Sequence, residues 1–89
     1  MQEKSKFKED FLLENDEGKF LILHNDEINT FDYVIDTLIE VCKHNVLQAE
    51  QCTTIVHLKG KCSVKEGPME LLRTYKDELV RKGLRATIN

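Results

Sequence analysis

Between residues 30 and 43, Phe31, Val34, Ile35, Leu38, Val41 and Cys42 recur at i, i+3, i+4, i+7, i+10 and i+11. That is the spacing of an amphipathic helix with one apolar stripe, and it is the strongest periodic signal in the chain. A helix of this kind has to bury its stripe against another element, so the flanking sequence must supply a partner surface. Asn29 suits the N-cap, with Asp32 three residues on as a weak capping box. His44-Asn45 ends the pattern, and Asn45 with Gln48 three residues later opens a second helix whose inner stripe is Ala49, Cys52, Thr53 and Val56. Gly60 is the natural residue to close it.

The partner surface is predicted from short apolar runs on either side. Phe20 to His24 reads as a short buried strand stopped by Asn25-Asp26-Glu27, and Lys61 to Lys65 as a short alternating strand. Gly67-Pro68 starts a third helix carrying Leu72, Tyr75 and Leu79 on one face. Gly83 ends that helix, and Leu84, Ala86 and Ile88 alternate with Arg85 and Thr87 in a last strand. The order is β-α-α-β-α-β. It makes an α+β fold, a small two-layer sandwich with a three-stranded antiparallel sheet packed on three helices. Residues 1–18 have no sustained period and end in turn chemistry at Asn15-Asp16-Glu17-Gly18, so they are read as a mobile N-terminal extension preceding a domain over 19–89.

Eighty-nine residues make one domain with a thin core, since a chain of this size buries about 60–65% of its unfolded surface. Its net charge of −3 excludes a general nucleic-acid binder, which should be basic. No apolar run approaches the ~20 residues of a membrane span, and Met1 to Lys6 opens no secretory signal. Three cysteines without the density of a secreted scaffold fit a reducing cytosol. The expected compartment is therefore the cytoplasm.

Three constellations could carry chemistry. Cys42, His44, Cys52, His57 and Cys62 are zinc-ligand types, yet their spacings match no compact C-x2-4-C knuckle. A Cys52–His57 or His57–Cys62 pair is conceivable for nucleophilic or thiol chemistry, but no nucleophile elbow or phosphate loop accompanies it. The third is a recognition loop. His24-Asn25-Asp26-Glu27-Ile28-Asn29 leaves a strand and enters a helix, gathering amide and carboxylate acceptors suited to the three donors of an ammonium group. Capping of the helix is its structural alternative. A small Cys/His metal or thiol-redox domain and a ribosome-associated interaction module remain open as other classes of function.

Here the sequence resembles a known family. Leu21-Ile22-Leu23-His24-Asn25-Asp26-Glu27, then Thr30-Phe31-Asp32-Tyr33-Val34-Ile35-Asp36, is similar to the signature of the ClpS adaptors: an aliphatic strand, an N-D-D/E loop and a [TP]-M-[ED]-[FY]-V helix start. Ile55-Val56-His57-Leu58-Lys59-Gly60-Lys61-Cys62 resembles that family's A-V-H-x-x-G-x-A/C block, and Gly83-Leu84-Arg85-Ala86-Thr87-Ile88 its P-L-R-C-T-[ML] ending. The three blocks stand in register over about residues 19–89.

The resemblance implies a non-enzymatic adaptor without a cofactor or metal. Such an adaptor binds substrates beginning with a free, large hydrophobic residue (Leu, Phe, Tyr or Trp) and delivers them to the N-terminal domain of a ClpA- or ClpC-like AAA+ unfoldase. It further implies that Asn25, Asp26, Glu27, Asn29 and His57 hold the substrate's α-amine and first peptide unit. Phe31, Val34, Thr53, Val56 and Leu84 would line the pocket for its first side chain, and Glu70 and Tyr75 would meet the unfoldase. A monomer without nucleic-acid or membrane partners is expected. The chain departs from the pattern at four places: Phe31 and Thr53 stand where the family usually has Met, Glu27 where Asp is commoner, and Tyr75 where Lys is typical.

Overall fold

The computed structural model describes residues 18–89, so the N-terminal extension expected over residues 1–18 lies, Gly18 apart, outside the described residues. The chain order is β1 (Lys19–His24), α1 (Phe31–Cys42), α2 (Val46–Lys59), β2 (Lys61–Gly67), α3 (Met69–Arg81) and β3 (Arg85–Ile88). The three strands form one antiparallel sheet in the order β2-β1-β3. This is the α+β sandwich expected from the pattern.

β1 is the central strand, yet it is not buried on both faces as its apolar run suggests. Leu21 and Leu23 are in the core while Phe20 is exposed and Ile22 half-buried, because helices cover only one face of the sheet. Leu21 and Leu23 meet Leu38, Leu72 and Leu79, all within 1% of full burial. Each such leucine contributes about 1.5–3 kcal/mol relative to exposure. The stripe of α2 packs as the sequence predicts, with Ala49, Cys52, Thr53 and Val56 all buried.

The helix ends show what local chemistry did and did not reveal. At α2 the Asn45 side chain accepts from the Gln48 backbone N–H at 2.8 Å, as the pairing predicts. At α1 the N-cap is Thr30, one residue later than Asn29, and its hydroxyl accepts from the Tyr33 N–H at 3.1 Å. Asn29 is not free to cap, because its side chain is held by Asp26 and Gly83. α1 stops at Lys43, which adopts the left-handed conformation with φ 63°.

A register shift opposite Leu21 and Ile22 leaves Val64 as the extra residue of β2, since Leu21 pairs with Lys65 and Ile22 with Ser63. Such a bulge takes a carbonyl out of the ladder, and His44 Nε2 donates to Val64 O at 2.7 Å. The carbonyl can only accept, so His44 carries its proton on Nε2. The residue that breaks α1 thereby pins the α1–α2 junction to the sheet.

Candidate functional site

The site begins where β1 runs out. Asn25 is tied at both backbone groups: its N–H donates to Gly60 O at 2.9 Å, and its carbonyl accepts from the Arg85 guanidinium at 3.2 Å. Gly60 can present that carbonyl because it turns out of α2 at φ 97°, a conformation glycine adopts without penalty. The loop that leaves β1 is thus anchored to the C-terminal end of α2 and to β3. Two further bonds brace the turn before β3, from Asn29 Nδ2 to Gly83 O at 2.9 Å and from the Tyr33 hydroxyl to Lys82 O at 2.7 Å.

Asp26 shapes the loop. One carboxylate oxygen accepts from the backbone N–H groups of Ile28 and Asn29, each at 2.9 Å, and the other from Asn29 Nδ2 at 3.0 Å. Three of the roughly four acceptor positions of a carboxylate are therefore committed within the loop. Burial opposes the charged form of Asp26. The bonds from Asn29 and Ile28 and the nearby Arg85 outweigh it and hold the carboxyl below its ordinary 3.8. Expected in the sequence to be one of the direct amine ligands, Asp26 is instead mostly spent on the geometry of its neighbours.

Those neighbours remain available. Among the described residues, the side chains of Asn25, Glu27 and His57 make no hydrogen bond or ion pair with another. His57 is exposed on the last turn of α2, and its ring meets Phe31 edge to face at 6.4 Å between centroids and 87° between planes. Phe31 is 44% exposed, so it stands at a rim and is not the first core residue of α1.

Between the end of β1, the loop after it, α1, α2 and the turn before β3 lies a cavity of about 250 Å³, somewhat below the ~300–1,000 Å³ that hold drug-sized ligands. It is lined by all ten residues expected of the amine site and side-chain pocket: Asn25, Asp26, Glu27, Asn29, Phe31, Val34, Thr53, Val56, His57 and Leu84. The chain brings together positions from four segments up to 59 residues apart, between Asn25 and Leu84. Leu23 and His24 line it too, in addition to those ten. The signal for Leu23 was the alternation of β1, which points it to the same side as Leu21. His24 Nε2 lies 2.7 Å from the Thr87 hydroxyl, a cross-strand pair that no local pattern announces.

Glu70 and Tyr75 are elsewhere, on α3. They are five residues apart, or about 140° around the axis, so they do not share one face. Glu70 is exposed, whereas Tyr75 is partly buried against the core with Lys65 Nζ 5.4 Å from its ring centre.

Cys42 and Cys52 are placed against reactivity. Burial pushes Cys42 up to about 11, against a small opposing effect of Lys65. It also pushes Cys52 up to about 12, with Cys62 and Cys42 adding to the rise. A thiol held protonated is a poor nucleophile and a poor metal ligand. Among the described residues no three His, Cys, Asp or Glu side chains converge on a metal position, and no helix is long and apolar enough to cross a membrane.

Comparison with known proteins gives the family and the fold. The family profile described as ATP-dependent Clp protease adaptor protein ClpS matches residues 14–87. The chain is 34% identical over 65 residues to the ATP-dependent Clp protease adapter protein ClpS of Thermosynechococcus vestitus, covering 72% of this chain and 69% of that protein. Its fold is that of Agrobacterium tumefaciens ClpS2 bound to L-phenylalaninamide, with a TM-score of 0.71 at 16% identity over 83% of this chain and 96% of the other. The ordered sequence blocks, the sandwich and the family match lead to one conclusion: the chain belongs to the ClpS family of Clp protease adaptors.

Proposed function

We propose that this adaptor captures proteins beginning with a free, large hydrophobic residue (Leu, Phe, Tyr or Trp) and delivers them to a ClpA- or ClpC-like AAA+ unfoldase. The observation that carries the reading is the mixed lining of the cavity. The side chains of Asn25, Glu27 and His57, uncommitted among the described residues, line it together with the apolar Val34, Val56 and Leu84. An α-ammonium group offers three N–H donors. The Asn25 side-chain amide oxygen, the Glu27 carboxylate and a His57 ring nitrogen accept them, while Asp26 and Asn29 keep that set in place. The first side chain then enters past Phe31.

The cavity's contents match the chemistry of L-phenylalaninamide, the ligand of the A. tumefaciens neighbour, which joins a free amine to an aromatic side chain. The action is binding and transfer without bond cleavage, by a monomer in the cytoplasm that grips the unfoldase's N-terminal domain through Glu70 and Tyr75 on α3. A reconstituted degradation assay tests it. With a Clp unfoldase and its peptidase, the adaptor should accelerate loss of a reporter beginning with Phe and leave the same reporter beginning with Met unchanged. Equal acceleration of both, or of neither, rejects the reading.

A further inference from the structure

Among the described residues, Thr53 is the one hydroxyl that lines the cavity. It is 4% exposed, and its hydroxyl donates to Ala49 O at 2.7 Å. With its hydrogen spent on a helix carbonyl, Oγ1 keeps lone pairs and no donor. Any group that pairs with it inside the cavity must therefore bring the hydrogen.

Its position along α2 says how far in that group must reach. The bond from Asn25 N–H to Gly60 O fixes the acceptor loop at the C-terminal end of α2. His57 lies near that end, and Thr53 lies one turn further from it on the same face, about 6 Å along the axis at 1.5 Å per residue. That step matches the reach from an α-carbon to a tyrosine hydroxyl.

We infer that Thr53 makes this cavity selective for a first side chain carrying a hydrogen-bond donor at its tip, and that tyrosine is preferred over phenylalanine. The inference rests on reading the cavity as a site for a chain's first residue. Phenylalanine fills the same walls but leaves Oγ1 facing an apolar ring edge after displacing whatever water served it, a loss that binding sites register as selectivity. Tyrosine restores the bond.

The test is competition anisotropy with peptides that differ only in their first residue, Tyr or Phe, each with a free and an N-acetylated amine. It is run on the full chain, on Thr53→Val and on Thr53→Ser. The expected result is a Tyr-over-Phe preference of roughly 3- to 10-fold, the worth of one neutral hydrogen bond. Thr53→Ser should keep that ratio and Thr53→Val should collapse it towards one. A Tyr-to-Phe ratio of one in the unmodified chain, or a ratio that survives Thr53→Val, overturns the assignment. A ratio of one in the unmodified chain is decisive even if a variant folds poorly. Free and acetylated peptides binding alike would bring down the reading of the site itself, and this inference with it. Strong dependence on the free amine without a Tyr preference would remove only the role given to Thr53.

Discussion

His57 and Phe31 meet edge to face from two elements, and neither is buried deeply enough to matter much for folding. His57 is exposed on α2, so His57→Ala should leave the melting temperature nearly unchanged. It should weaken binding of a free Leu- or Phe-starting peptide by about 10- to 100-fold, the range of a hydrogen bond to a charged group. A matched fall in stability and binding would make His57 a structural residue instead. Phe31 at 44% exposure lacks the burial for the ~3–5 kcal/mol loss of a core phenylalanine. Phe31→Ala should therefore cost about 1 kcal/mol, mostly its edge-to-face contact with His57. With that rigid wall gone, peptides beginning with Ile or Val should gain on Leu by about 10-fold or more. Unchanged Leu-over-Ile selectivity, measured beside thermal melts, rejects that role for Phe31.

At the scale of elements, the loop between β1 and α1 decides whether separate acceptors act as one site. Its shape depends on the Asp26 carboxylate, so Asp26→Ala should loosen the loop and cost about 0.5–2 kcal/mol, as loss of a comparable cap does. The folded state holds the Asp26 carboxyl below its ordinary value. A group lowered in this way stabilises the fold above its unfolded-state pKa, and the contribution disappears as pH falls through the folded-state value. The stability difference between the chain and Asp26→Asn should thus be constant from pH 7 to 5 and shrink only below about 3.8. A difference that already shrinks between pH 7 and 5 would show that another group sets the loop.

These same elements show where local sequence stops being informative. The period of α1, the Asn45–Gln48 cap and the alternation around Ala86 are short-range patterns, and each is realised. Only the resemblance of three ordered blocks to one family joins the ten cavity residues; periodicity pairs Phe31 with Val34 and Thr53 with Val56 but does not bring the two helices together. Asn29 looked like a cap because its partner Gly83 is 54 residues away and invisible in a local window. Asp26 looked like a ligand for a related reason: an acceptor-rich loop does not reveal which acceptors it spends on itself. The bulge at Val64 and its His44 partner likewise arise from a 20-residue separation.

For the whole molecule, every described residue that lines the cavity lies at or beyond Leu23, and the described sheet begins at Lys19. A chain starting at Lys19 should therefore bind a Leu-starting peptide as the full chain does. It should nevertheless fail to stimulate degradation by the unfoldase if residues 1–18 serve substrate transfer. Normal degradation by the shortened chain would rule out that division of labour. The account as a whole turns on the free amine. Acetylation removes the charge and two of three donors while leaving the side chain intact, and it strands acceptors at a cost of about 1–3 kcal/mol each. The most direct measurement is fluorescence anisotropy of one Phe-starting peptide in free and N-acetylated form. The account predicts at least about 100-fold weaker binding of the acetylated peptide; equal affinity for the two would contradict it.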